Sequence, residues 1–332
     1  AYQYLVMGTI GATFILIGVG LLYMMTGTLN MADLAQRLPA LSDSRTIRVA
    51  FAFITVGVSL KLALFPLHLW LPNAYAFAPS VVSVFIAATA TKVGVYVLLR
   101  LFFTVFGVQF SFTAMHAGDI LMVLAAAAML IASLVAVFQH NIKRMLAYSS
   151  VAQIGYIVLG ISLASAAGVA AGMIHLFNHA LMKGALFMAM GSIFLRLGSV
   201  DIRDMQGLAR HMPFTVAAFV VGGLCLVGVP LTTGFVSKWY LVEAALGSGR
   251  WPLAVLVLAS SLIALVYIWR VVEATCLQPA AVREGELKEA PASMLLPTWA
   301  LIAANLYFGT DASLTSSMAR QGAETLLGFA AR

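Results

Sequence analysis

Apolar residues do not alternate along this chain. They come in long runs separated by short polar stretches. Nine runs reach the roughly 20 residues that an α-helix needs to cross a bilayer. They lie at about 3–26, 47–72, 79–106, 119–139, 145–163, 167–196, 214–246, 252–276 and 292–309. Runs this long without a period of two are helices, because barrel strands would alternate. Lipid-facing backbone allows only those two solutions. The predicted fold class is therefore an all-α polytopic membrane protein. The stretches "NMADLAQRLPALSDSR", "QHNIKRM" and "RLGSVDIRDMQGLARHMP" read as loops, "AAVREGELKEAP" as a charged linker, and the tail 311–332 as a surface helix. Two runs carry helix breakers: Pro66 in the second, and Gly228, Pro230 and Gly234 in the seventh. Paired broken helices mark transporters built from inverted repeats.

Composition agrees. Of 332 residues 62% are hydrophobic and 9% charged, with a mean hydropathy of +0.99, where a soluble domain carries about 25% charged residues. The net charge of +7 would suggest nucleic acid in a soluble chain. Here several cations lie inside apolar runs, so the surroundings are the lipid bilayer and no nucleic acid is expected. Cys225 and Cys276 are far apart and lack ligand partners, which predicts neither a disulfide framework nor a metal site. No glycine-rich phosphate loop, Walker pattern or cysteine cluster appears, so no cofactor is expected. The chain shows no catalytic constellation and reads as a transporter subunit; any redox chemistry would belong to a partner.

Five cations fall inside predicted spans, Lys61, Lys92, Lys183, Lys238 and Arg270, with two acids, Glu243 and Glu273. A central charge costs at least about 2.5–3.5 kcal/mol on insertion scales, so such groups mark ion or proton paths. Desolvation disfavours the charged form of an amine, which equips a buried lysine to exchange its proton. Lys61 precedes Pro66, whose missing N–H frees a carbonyl nearby; the rival reading is a lysine reaching the interface, with His68 interfacial too. Lys92 sits near the middle of its helix. Its neighbours Thr89 and Thr91 are expected to bond their own backbone. Lys238 follows the Pro230 break, where Thr232, Thr233 and Ser237 supply hydroxyls. Glu243, a little over one turn on, is either an accessory acid or an interfacial cap. Arg270 and Glu273 are spaced as a local ion pair, and His140, Lys143 and Arg144 as a solvated loop face.

The stretch "HLFNHALMKGALF" carries His175, His179 and Lys183 at successive four-residue steps. On a helix these drift by about 40° per step and span about 12 Å. Histidine titrates near neutral pH, so the three could pass a proton along. A hydrogen-bonded polar core and a zinc site built on the paired histidines are the rivals, the latter without a nearby Glu, Asp or Cys.

Five motifs in this order, "KLALFPLHLWLPNAY", "ATATKVGVYVLLR", "HNIKRMLAYSSVAQIGY", "HLFNHALMKGALFMAMGSI" and "GVPLTTGFVSKWYL", resemble the antiporter-like membrane subunits. That superfamily includes the large subunits of Mrp-type sodium/proton antiporters and the proton-pumping subunits of respiratory complex I. The "GFVSKWYL" form, the "MTGTLNMADLA" loop and the tail are most similar to the D-type large subunits of the Mrp antiporters. The resemblance implies a fourteen-helix fold with two inverted five-helix repeats, of which this chain would hold the sixth helix onward. Residues 1–108 would finish the first repeat, 115–276 form the second, and 277–332 hold the linker, last helix and tail. It places proton transfer on Lys61, Lys92, His175, His179, Lys183 and Lys238. It implies partner subunits in a multisubunit complex of the bacterial cytoplasmic membrane, carrying protons against sodium or another monovalent cation. The alternative is a redox-driven pump of the complex I or membrane hydrogenase kind. The family pairs the lysine matching Lys61 with a glutamate on the fifth helix. That helix would precede Ala1, so the chain is expected to be part of a longer protein.

Overall fold

The computed structural model describes residues 2–279 and 287–328, and every regular element among them is helical. In chain order these are α1 (Tyr2–Thr26), α2 (Met31–Arg37), α3 (Arg45–Leu62), α4 (Trp70–Phe77), α5 (Ser80–Val105), α6 (Ala117–Val137), α7 (Ile142–Ser162), α8 (Ala166–Leu197), α9 (Pro213–Val227), α10 (Thr233–Gly247), α11 (Trp251–Leu277), α12 (Ala292–Thr310) and α13 (Ser313–Gly328). Seven of them, α1, α5, α6, α7, α8, α11 and α12, are long and apolar enough to cross a membrane. The nine expected runs differ from this only at 47–72 and 214–246, and each of those is two helices.

Both interruptions have a local cause. After α3, Ala63 adopts a left-handed backbone (φ 59°), the Phe65–Pro66 peptide is cis, and helix resumes at Trp70. After α9, Gly228 (φ +90°) and Leu231 (φ 71°) turn the chain, and Thr232 is extended before α10. The breakers Pro66 and Gly228, Pro230 and Gly234 fall at the two interruptions, but the apolar run continues across the first, which is why 47–72 reads as one span. The loop after α1 also contains a helix: the Asn30 side chain accepts from the N–H groups of Ala32 and Asp33 and starts α2. The tail forms α13, largely exposed as expected.

The core centres on α7 and α8. The apolar window of α7 is 94% buried, as suits a helix hydrophobic all round. The two helices cross closely: a Cβ on Gly160 would lie 2.6 Å from the Gly168 oxygen and 2.9 Å from the Gly172 nitrogen. Small residues allow that backbone approach. Around α8 pack α5, α7, α9, α10, α12 and α13. The start of α7 is fixed by the Asn141 cap and by two backbone bonds, Ile142 N–H to Val200 O (2.8 Å) and Ile202 N–H to His140 O (2.9 Å).

Two charge assignments change here. Lys143 and Arg144 lie in the first turn of α7, packed on the turn between α4 and α5. Lys143 is buried and donates to Ser80 Oγ (3.1 Å), while Arg144 donates to Asn73 Oδ1 (2.9 Å); only His140 is exposed as predicted. Arg270 does not pair with Glu273. Its guanidinium donates to the carbonyls of Val137 and Gln139, which the end of α6 leaves free. With the Arg270 side chain engaged on the end of α6, Glu273, at the start of a π-helical turn, stays exposed.

Candidate functional site

The second break builds the best-defined part of the site. A Cβ on Gly234 would fall 1.8 Å from the Cys225 carbonyl oxygen, so only glycine lets α10 start against the end of α9. The last turn of α9 has unpaired carbonyls, and a helix C-terminus favours a cation. The buried Lys238 ammonium donates to two of them, Leu226 O (3.0 Å) and Val227 O (2.9 Å). It also lies 4.8 Å from the centre of the Tyr156 ring. The hydroxyls near the break divide by role. Thr232 Oγ1 bonds Val229 O (2.6 Å) and Thr233 Oγ1 bonds Asn305 Oδ1 (2.7 Å), so both brace the break. Ser237 alone reaches a titratable group, His175. Pro230 shapes the turn.

His175 is held at both nitrogens. Nε2 lies 2.8 Å from Gln153 Oε1 and Nδ1 lies 2.8 Å from Ser237 Oγ. In the neutral ring Nε2–H donates to Gln153 and Nδ1 accepts from the Ser237 hydroxyl. In the charged ring Nδ1–H donates to Ser237, whose own proton turns to Thr233 O at 3.2 Å. Both protonation states are therefore satisfied without moving a heavy atom. The metal alternative loses its second ligand, because both His175 nitrogens are engaged; no three-residue metal-ligand cluster occurs among the described residues.

One turn on, His179 is fully buried with its ring nearly parallel to His175, at 6.3 Å between centres. Neither of its nitrogens has a partner among the described residues. Lys183, also fully buried, donates to Leu146 O (2.8 Å) and to the Ser149 hydroxyl. Lys92 is buried on α5 and donates to Ala87 O, inside the π-helical turn Ile86–Ala90. Such turns displace the backbone ladder and recur at functional sites. That turn packs against α8, the helix that carries His179 and Lys183. The described ion pairs are Arg37–Asp33, Arg48–Asp43, His116–Asp119 and Arg203–Asp201, all outside this interior.

Three predicted participants stand apart. Lys61 is exposed, on an open groove of about 240 Å³ with Tyr4, Gly8, Trp70, Ile86 and Gly94. At the first break the Leu60 carbonyl accepts from the Ala63 N–H (3.2 Å) and from Trp70 Nε1 (2.9 Å), not from Lys61. Pro66 is exposed and His68 is buried against the Phe65 ring. Glu243 is exposed beside a second cavity of about 200 Å³ with Tyr240, Arg320 and Glu324. Thr89 bonds its own backbone at Phe85 O, as expected, but Thr91 does not: its buried hydroxyl has no partner among the described residues.

Sequence reasoning missed Gln153, Ser149, Tyr156 and Asn305. A signal existed for the first three: "SSVAQIGY" puts polar groups into a run buried on every side. Asn305 belongs to the last helix, which the motifs did not tie to the break.

Residues 1–264 match the family model described as "NADH:quinone oxidoreductase/Mrp antiporter, TM". The chain is 43% identical over 309 residues to NADH-quinone oxidoreductase subunit N of Desulforudis audaxviator, covering 90% of this chain and 61% of that one. It is 29% identical over 333 residues to a Na(+)/H(+) antiporter subunit of the D type from Bacillus subtilis, covering 98% of this chain and 65% of that one. The fold overlays a chain of an archaeal respiratory membrane complex, the membrane-bound sulfane sulfur reductase, with a TM-score of 0.89 and 31% identity, over 99% of this chain and 67% of that one. The chain thus spans less than two thirds of the length of both curated relatives. On the family model and these likenesses together, it belongs to the NADH:quinone oxidoreductase/Mrp antiporter family of multi-pass membrane proteins.

Proposed function

We propose that this chain moves protons as one membrane subunit of a larger complex in the bacterial cytoplasmic membrane. The observation that carries the reading is His175, whose two partners satisfy both its neutral and its charged form. It stands in a buried set of bases, Lys92, His179, Lys183 and Lys238, with no buried carboxylate among the described residues. Each ammonium rests on backbone carbonyls or a hydroxyl, so losing its proton frees an acceptor and strands no opposite charge. Charge on one base raises the cost of charge on the next, which passes protons on singly. On this reading residues 1–108 and 115–276 contribute one break each.

Two driving forces fit. The 43% identity to an NADH-quinone oxidoreductase subunit favours a complex powered by electron transfer in partner subunits. The 29% identity over 98% of the chain to an Na(+)/H(+) antiporter subunit supports monovalent cation/proton exchange, and so does the "GFVSKWYL" form of the break motif. Everted vesicles carrying the complete native complex separate them. Proton uptake that follows quinone reduction, lost in Lys238→Ala, identifies the redox pump. Collapse of a respiratory pH gradient on adding sodium or potassium, lost in Lys238→Ala, identifies antiport. Normal transport of both kinds in Lys183→Ala and Lys238→Ala, with the subunit assembled, refutes the proton line.

A further inference from the structure

Tyr156 lies between two of the titratable groups. Its ring centre is 4.8 Å from Lys238 Nζ and 5.3 Å from the centre of the His175 ring. The ring is fully buried, and its hydroxyl is tethered to Val257 O and Ser261 Oγ, each at 3.3 Å. Those bonds fix the ring's position from α11 while its face is turned to Lys238. The groups facing Lys238 from the elements packed on α10 are few. α7 offers Tyr156, α8 offers His175, and α9 offers the carbonyls of Leu226 and Val227. On α11, Tyr267 is buried and Arg270 is bound to the end of α6. The α12 segment Ala292–Thr310 contains no acidic or basic residue. On α10 itself Glu243 is exposed, and on α13 Arg320 stands over Tyr240, beside Glu324.

A desolvated ammonium with no carboxylate needs negative potential from elsewhere. Two carbonyls provide part of it. The aromatic face provides the rest, within the roughly 6 Å over which a ring quadrupole attracts a cation.

We propose that the face of the Tyr156 ring is a seat for the Lys238 ammonium, making Tyr156 a positioning residue that sets how readily Lys238 keeps its proton. This rests on the proton-transfer reading above. The hydroxyl serves only to hold the ring.

The test is the pH profile of proton translocation by the complete native complex in vesicles, energised by whichever driving force the wild type uses. A desolvated cation–π contact corresponds to about a tenfold change in protonation, or about one pH unit. Tyr156→Phe keeps the face and is expected to keep the wild-type midpoint. Tyr156→Leu removes it, so the protonated lysine persists only to lower pH and the midpoint falls by about one unit. Should the leucine variant fail to assemble, phenylalanine and trifluorophenylalanine at position 156 compare two rings of nearly equal shape, and the fluorinated ring is expected to lower the midpoint. A leucine or fluorinated variant with the wild-type midpoint overturns the proposal. So does a phenylalanine variant that shifts as far as the leucine one, because the hydroxyl then carries the effect. Full activity in both Lys183→Ala and Lys238→Ala would instead remove the proton line itself, which separates the two failures.

Discussion

Replacing Gly309 by alanine tests whether the last helix sets the geometry of the second break. Gly309 lies on α12 where the helix meets the chain between α9 and α10. A Cβ there would stand 2.5 Å from Leu231 O and from the carbonyl carbon and Cα of Thr232. Ordinary carbon contacts lie at about 3.5–4.0 Å, so the two segments must part by about 1 Å. All three neighbours are backbone atoms, so no rotamer change relieves the clash. Overpacking of this kind costs about 1–3 kcal/mol. The same displacement stretches the bond from Thr233 Oγ1 to Asn305 Oδ1, now 2.7 Å, out of hydrogen-bond range. A buried polar group left unpaired adds about 1–3 kcal/mol. The total, about 2–6 kcal/mol, predicts a melting temperature of the purified complex lower by about 4–12 °C. Proton translocation is expected to fall with it, because Lys238 takes its acceptors from the other side of that break. Gly247→Ala is the control, since a Cβ there meets nothing within 4 Å. If Gly309→Ala melts and pumps like Gly247→Ala, α12 does not brace the break.

Gln153→Leu removes the acceptor at His175 Nε2; hydrogen bonds to charged groups are worth about 1.5–3 kcal/mol, so initial rates of proton translocation should drop about 10- to 100-fold with assembly intact. Glu289 accepts from the N–H groups of Phe214 and Thr215 and from the Thr215 hydroxyl, capping α9 from the far side of the linker. Glu289→Ala should cost about 1–2 kcal/mol and speed amide exchange at the start of α9. Outside the spans, the bond from Arg203 holds the Asp201 carboxyl down at about 2. Its contribution is present above the ordinary carboxylate range near 4 and lost as pH falls towards 2. Amide exchange of the 199–206 loop should therefore accelerate over that window in the wild type, and be fast throughout in Arg203→Gln.

Much of the site can be read from the sequence because helical spacing is local information. His175, His179 and Lys183 share a face whatever surrounds them, and Gly228, Pro230 and Gly234 break a helix in any setting. What lies across from a residue is not local. Lys61 sits in the last turn of α3, and its exposure depends on where α1 and α5 pack. Lys143 looks like a loop cation until α7 starts three residues earlier than its apolar run and lays it against Ser80. Gln153 and Tyr156 have neither charge nor motif spacing; only the burial of α7 on all sides shows that their polar atoms need partners. The Arg270–Glu273 pair failed for the same reason: the spacing allows it, but the carbonyls at the end of α6, which the sequence does not place beside Arg270, take the guanidinium.

The charge content of the interior also bears on which ions can travel there. Sodium and potassium keep their charge wherever they go and ask for oxygen ligands, carboxylates above all. The buried ionisable side chains near the bundle centre, among the described residues, are lysines, histidines, tyrosines and the thiol of Cys225, and every described aspartate and glutamate lies on or near the surface. A metal ion entering this interior would find no buried carboxylate among the described residues, and like charge wherever a base is protonated. A proton meets no such barrier, because it arrives as the charge of a base already in place. On the proposed reading, the same side chains favour the proton without a constriction or a sized cavity. On the proposed reading, a complex that exports sodium carries the metal outside this line of bases, and exchange is a coupling between two paths.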